Sequence, residues 1–395
     1  MAHGRTGERA VKKLRILLGI LALAITAVFI FAPGYVEAER NAVRPHDPYP
    51  VSDAAAALHN DMIIGDWHAD SLLWKRDLTQ FGTRGHVDIP RLIEGNVAIQ
   101  VFSAVTKSPA GQNIENNSAD APDNITLLAG AQLWPPRTFD SLLERALYQS
   151  EKLHGFAKET DALRIIRSRA DLEQLLADRA NGTPVIGGIL GIEGAHALEG
   201  NITNLTKLAD AGYKIIGLHH FFDNELGGSL HGESDGGLTD FGREVVKTIE
   251  ANNLILDLAH SSTSVARDVL AMTDMPVVVS HTGIYSVCPV KRNYPDDLMQ
   301  DIAATGGVIA IGYWRTAVCD DSPAGIAKTI KAAIELLGED HVSLGSDFDG
   351  SVTTALDTSE LAAITQALIN LDVSDAQIRK VMGDNMLRVL RQRLP

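Results

Sequence analysis

Eight short runs rich in β-branched and aliphatic residues recur between residues 62 and 350, and their order constrains the fold more than any other feature. They are "MIIGDWH" near 62, "VAIQVFSAV" near 97, "PVIGGILGIEG" near 184, "YKIIGLHH" near 213, "LILDLAHSS" near 254, "PVVVSHTG" near 276, "GVIAIGYW" near 307 and "HVSLGSDFDG" near 341. None alternates apolar with polar residues for long, as expected of parallel strands covered on both faces. Helical patterns lie between them at 141–155, 199–210, 238–251, 262–272, 296–304 and 324–337. Ser322 before Pro323 suits a helix start, where the missing proline donor is harmless. Ser374 and Gln377 have capping-box spacing at the head of a last helical pattern reaching about residue 391. Eight strand and helix units favour an α/β fold of the closed (β/α)8 TIM-like type over a doubly wound sheet.

At 395 residues the chain has room for more than one domain, yet nothing after residue 56 marks a second boundary. Residues 56–395 are therefore expected to form one barrel domain behind a proline-containing linker, 41–55. The second and third runs are some 80 residues apart, and this gap holds a polar, Asn-rich stretch, 107–130, and then "WPPRTFD", which interrupts any helix. An insertion after the second strand lies over the catalytic face of such a barrel, as either a surface excursion or a wall of the substrate site.

The first 40 residues are of another kind. Arg5, Arg9, Lys12, Lys13 and Arg15 precede "ILLGILALAITAVFIFA", residues 16–32, apolar except for Thr26. Its length is at the lower edge for a membrane-spanning helix and above the usual core of a cleaved signal. The basic flank places the N-terminus in the cytoplasm, so either reading exports the rest of the chain to a periplasmic or other extracytoplasmic site. "VEA", residues 36–38, offers the small residues of a cleavage site. Export permits disulfides, and Cys288 and Cys319 are either a pair or two buried thiols.

Groups with metal or proton chemistry stand at the ends of the runs: His68 and Asp70, Glu193, His219 and His220, His260, His281, Asp347 and Asp349. A barrel gathers strand ends from distant sequence positions at one mouth. His68 and Asp70 leave an extended segment on the same face and can clasp one ion. His260 and His281 supply neutral imidazoles suited to Zn²⁺, and Glu193, among small residues, can span two cations. Two such ions can generate hydroxide, polarise a carbonyl and clamp a developing oxyanion. Asp347 is placed to take a proton from water and pass it to a departing amine. Asp66 reads as an orienting carboxylate, His196 as loop packing and Asp349 as a turn residue.

Other chemistries lack support. The formal charge of -15, without a basic stripe, argues against nucleic-acid binding. There is no G-x-S-x-G, Walker A or Rossmann glycine pattern, which leaves Ser261, Ser280 and Ser286 poor nucleophiles.

The ordered motifs "DWHAD", "GIEGAHAL", "GLTDFGREVVKTIEANNLILDLAHSS", "VVVSHTGIYSVCPVKRNYPDD", "VSLGSDFDG" and "GDNMLRVL" closely resemble the membrane or renal dipeptidase family, across residues 56–391. The resemblance implies a two-zinc hydrolase of dipeptides, with His68 and Asp70 on one zinc, His260 and His281 on the other, and Glu193 bridging. It implies that His220 stabilises the tetrahedral intermediate, that Arg292 binds the substrate's terminal carboxylate, and that Asp347 moves the proton. It further implies a Cys288–Cys319 bridge and a homodimer. The family commonly has Thr where this chain has His219, so that residue is either a packing substitution or an added polar wall. No hydrophobic C-terminal tail suggests a GPI anchor, so any attachment is expected through residues 16–32. Hydrolysis of N-acyl amino acids or small lactams and lactones at the same centre, and an anchored binding domain without catalysis, are the competing functions.

Overall fold

The computed structural model describes residues 3–395. Nine parallel strands are present among them: β1 (Ile64–Ala69), β2 (Val97–Val105), β3 (Leu163–Ile165), β4 (Ile186–Glu193), β5 (Tyr213–Gly217), β6 (Ile255–Asp257), β7 (Val278–Thr282), β8 (Val308–Ile311) and β9 (Val342–Leu344). Eight of them, in the order β2-β1-β9-β8-β7-β6-β5-β4, close on themselves through β2 and β4, which pair from Ile99 with Gly187 to Val105 with Glu193. These are the eight runs of the sequence, and the fold is a (β/α)8 barrel. β3 is an addition to that reading: it pairs only with the start of β4, Leu163 with Ile186 through Ile165 with Gly188.

Burial on both faces explains the missing alternation. Leu190, Ile192, Ile216, Leu256, Val279, Ile309 and Ile311 pack with the surrounding helices, including Val245 and Ile249 of Asp240–Ala251 and Ile326 and Ile330 of Pro323–Leu337. Ile189, Ile215, Ile255, Val278 and Val308 join a second apolar cluster with Trp67 and with Met386, Val389 and Leu390 of the last helix, Asn385–Arg393. That helix follows a capping box at Ser374 and Gln377 and a π-type turn, Lys380–Asp384. Gly383 permits the turn, since a Cβ there would lie 2.0 Å from the Ile63 carbonyl.

The insertion contains more order than its composition suggests. Helices Asn124–Ala131, Leu142–Glu159 and Arg169–Ala180 all lie between β2 and β4. Its first part reaches across the mouth: Asn117 N–H donates to His231 O (2.8 Å), His231 Nδ1 bonds Ile114 O (2.7 Å), and Lys291 Nζ reaches Glu115 O. Largely exposed along residues 110–116, it is nonetheless tied to the loops that follow β5 and β7. The stretch read as a linker also packs on the barrel: Arg44 N–H donates to Thr354 O (2.9 Å), and Tyr49 Oη donates to Ala355 O (2.6 Å).

The N-terminal helix, His3–Arg40, contains a segment, Lys12–Arg40, long and apolar enough to cross a membrane, with a mean hydropathy of 2.6 over its most apolar 18 residues. Cys288 and Cys319 form a disulfide with Cα atoms 5.5 Å apart, joining the loops after β7 and β8.

Candidate metal centre

His68 and Asp70 stand on and just after β1, Glu193 ends β4, and His281 lies in β7. His260 and Asp347 follow β6 and β9 by three residues each. All six meet at the barrel mouth. Oε1 of Glu193 lies 3.0 Å from Nε2 of His260, 3.2 Å from Nε2 of His281 and 3.6 Å from Nε2 of His68. The Nε2 atoms of His260 and His281 are 2.9 Å apart. His68 Nε2 is 3.4 Å from Asp70 Oδ1 and 4.0 Å from Asp347 Oδ1. Three sets have donor atoms close enough to share an ion: His68, Glu193 and His281; Glu193, His220 and His260; and His68, Asp70 and Asp347.

None of these six residues is more than 8% exposed, so the electrostatics act in a dry environment. Burial, followed by the charge of Arg292 for His260 and of His68 for His281, holds both imidazoles neutral, with lone pairs free to ligate. His68 behaves oppositely: burial pulls it down, but the carboxylates of Glu193 and Asp70 outweigh this and carry it to about 10. Burial raises Glu193, and it raises Asp347 well above the usual carboxylate range. Among the described residues, His68 Nε2 and Asp70 Oδ1 have no hydrogen-bond partner despite complete burial. Buried orphaned donors and acceptors of this kind are costly unless something else binds them. The donor set fits divalent cations of the Zn²⁺ type.

The surrounding bonds orient these groups. Ser280 Oγ lies 2.8 Å from His281 Nδ1 and 3.4 Å from His68 Nδ1, one hydroxyl serving two imidazoles. Asp66 accepts from the backbone N–H groups of His68 (2.9 Å) and Ser346 (3.0 Å) and stays out of the donor cluster, as its sequence context suggests. His260 (φ 64°) and Asp347 (φ 59°) are left-handed, a conformation that costs non-glycine residues about 1–3 kcal/mol and recurs where a site dictates the backbone. Gly350 lets Asp347 sit there, because a Cβ would come within 2.1 Å of Asp347 Oδ1.

His220 Nδ1 donates to Lys107 O (3.1 Å), and its Nε2 lies 3.4 Å from Glu193 Oε2. Arg292 is 3% exposed; its Nη2 donates to His281 O (2.5 Å), and its charge is near enough to perturb Glu193. His219 is a packing residue: it is fully buried, bonded to Ser261 Oγ (3.0 Å), and lowered to about 4 by burial. His196 stacks on Phe222 with centroids 4.5 Å apart and takes no part in the cluster. Asp349 exceeds its turn reading. It accepts from Ser71 Oγ (2.6 Å) and His86 N–H (2.7 Å) and pairs with Arg76.

Sequence reasoning passed over Ser280 except as a poor nucleophile, although its place beside a strand-end histidine was a signal. It also passed over His231, which stacks on Phe221 (4.8 Å) and lies 5.3 Å from His260. His231 follows no strand directly, so position alone would not have found it.

Comparison with known proteins agrees with this architecture. Dipeptidase aclJ of Aspergillus oryzae is 35% identical over 349 residues, covering 83% of this chain and 77% of that protein. Dipeptidase verJ of Clonostachys rogersoniana is 28% identical over 313 residues, covering 77% and 75%. Among solved structures, a metallo peptidase from Rhodobacter sphaeroides, liganded with a phosphinate mimic of L-Ala-D-Ala, shares the fold with a TM-score of 0.70. It is 24% identical, over 85% of this chain and all of that one. The probable dipeptidase PvdM from Pseudomonas aeruginosa superimposes with a TM-score of 0.71 at 18% identity, over 86% of this chain and 98% of that one. Residues 52–394 match the membrane dipeptidase family as a whole, and this chain belongs to that family, peptidase family M19.

Proposed function

We infer that this protein hydrolyses dipeptides at a centre of two zinc ions. The observation that carries the reading is the position of Glu193 Oε1, within 3.6 Å of three imidazole Nε2 atoms from three different strand ends. His68 and Asp70 would hold one cation, His260 and His281 the other, with Glu193 between them. Bound there, such ions supply Lewis acidity toward water and a peptide carbonyl.

The chain's own residues do the rest. Arg292 can grip a free carboxylate through directed, charge-assisted hydrogen bonds, which sets the substrate's C-terminal end at a fixed distance from the scissile bond. This selects very short peptides. His220, its ring fixed by Lys107 O, presents Nε2 toward the centre, where it can stabilise the developing oxyanion. Asp347, its proton affinity raised by burial well above the usual carboxylate range, is suited to take a proton from water and deliver it to the leaving amine. No covalent intermediate with a side chain is required.

Residues 16–32 are read as the attachment to an inner membrane, with the barrel on its exported side. The family resemblance alone supports a homodimer. The test is a steady-state panel of L,L and L,D dipeptides, N-acyl amino acids and lactams, paired with Asp347→Asn. Dipeptides are expected to be the best substrates, and the variant to lose about a hundredfold or more in kcat. Faster turnover of an N-acyl amino acid or lactam than of every dipeptide would replace this reading with hydrolysis of that class.

A further inference from the structure

Within "VEA", attractive as a cleavage site, Val36 and Ala38 are exposed but Glu37 is built into the barrel. Glu37 lies in the last turn of the apolar helix and is only 1% exposed. Its Oε1 pairs with Arg76 Nε (2.6 Å) and its Oε2 with Arg84 Nε (2.7 Å). Arg76 is itself buried; it donates to Val87 O (2.6 Å) and pairs with Asp349. Asp349 in turn receives Ser71 Oγ, and its carbonyl receives Trp74 Nε1 (2.7 Å). Ser71 adjoins Asp70, and Asp349 is two residues from Asp347. The same turn is pinned from another side by half-buried Lys152, whose Nζ donates to Leu72 O and Trp74 O, both at 2.6 Å.

The connection therefore runs from the helix to the β1 and β9 end turns, which carry two of the carboxylates at the centre. Just beyond Glu37 the chain stays attached: Asn41 Oδ1 accepts from Ser351 N–H (2.8 Å), and Arg44 pairs with Asp321 (2.7 Å). Removing Glu37 would leave two guanidinium groups, one of them buried, without the carboxylate that faces them, and buried charges tolerate this poorly. Arg76 would then be held only through Val87 O and Asp349, and any shift it makes is passed to Asp349 and the turns it ties.

We propose that Glu37 is a positioning residue of the catalytic centre, so that the working enzyme keeps the last turn of its apolar helix and is not cut after Ala38. The proposal rests on the metal centre read above. It makes the membrane helix part of the apparatus that orients Asp70 and Asp347, not a detachable address.

The test uses the full-length protein in detergent micelles. Metal content is measured first, followed by the rate of metal release to a chelator at 25 °C, then kcat and KM for a dipeptide, in wild type, Glu37→Gln, Glu37→Ala and Arg44→Gln. Glu37→Gln preserves shape and serves if the alanine variant does not fold. Both Glu37 variants are expected to release metal about tenfold faster and to lose kcat with KM little changed, as when a residue supporting a metal ligand is lost. Arg44→Gln breaks a neighbouring attachment that does not lead to Asp349, and should leave release unchanged. N-terminal sequencing of active enzyme from membranes should find a start upstream of Glu37. Wild-type release and kinetics in Glu37→Gln, or an active mature chain beginning at Glu39, overturns the proposal while leaving the centre standing. A wild type that binds no metal overturns both.

Discussion

Nδ1 of His281 is held 2.8 Å from the hydroxyl of Ser280, which turns the other nitrogen of that ring toward Glu193. A ligating Nε2 must carry a lone pair, so Nδ1–H donates and the serine oxygen accepts. The same oxygen lies 3.4 Å from His68 Nδ1, and a hydroxyl has two lone pairs to offer. Ser280→Ala should weaken metal retention about tenfold or more without unfolding the barrel. Titration against a competing chelator checks this, with circular dichroism as the folding control.

Metal binding should depend on pH through His68. Before a cation binds, burial lowers this imidazole but Glu193 and Asp70 raise it further, to about 10, so the ring is protonated at neutral pH. A cation displaces that proton. Apparent affinity therefore rises with pH up to about 10, by at most tenfold per unit for each proton released, and then levels off. Calorimetry at pH 7 in two buffers of different ionisation enthalpy should register about one proton released from this residue. Identical heats in both buffers would contradict the assignment.

Arg292→Lys keeps the charge and loses the planar fork. KM for dipeptides should rise about 10–100-fold, the worth of one directed, charge-assisted hydrogen bond, with a smaller effect on kcat. Amidating the substrate's C-terminus should impair the wild type by a similar factor and the variant far less.

The disulfide braces the loop that carries Arg292. Asn293 Nδ2 donates to Cys288 O (2.9 Å) and Ala317 O (2.8 Å), so both sides of the Cys288–Cys319 closure touch the residue after the arginine. Replacing both cysteines by alanine should cost about 3–4 kcal/mol, as expected for closing a loop of 31 residues. Urea denaturation with and without reductant measures it.

The barrel and most of the cluster were legible because their signals are periodic. Buried parallel strands give continuous apolar runs, and a histidine or carboxylate that ends such a run stands out, as His68, Glu193 and His281 do. Arg292 has no such signal; it lies in a loop ten residues beyond the end of β7 and was identified through family resemblance alone. β3 has three residues, too few for a pattern, and helix Arg169–Ala180 is strongly charged, so neither was read. Glu37 was hidden for a different reason. Small neighbours and a preceding apolar stretch resemble a cleavage site, whereas its partners, Arg76 and Arg84, are some 40 residues away and meet it only in the folded chain.

The central claim is that five side chains hold a pair of cations on which turnover depends. Elemental analysis of the purified enzyme, combined with dipeptide turnover as zinc is removed and restored, tests it most directly. About two zinc ions per chain are expected, with activity lost on removal and recovered on return, and with Glu193→Gln failing to retain the pair. Full dipeptide turnover by protein stripped of metal, or an undiminished pair of ions in Glu193→Gln, would contradict the account.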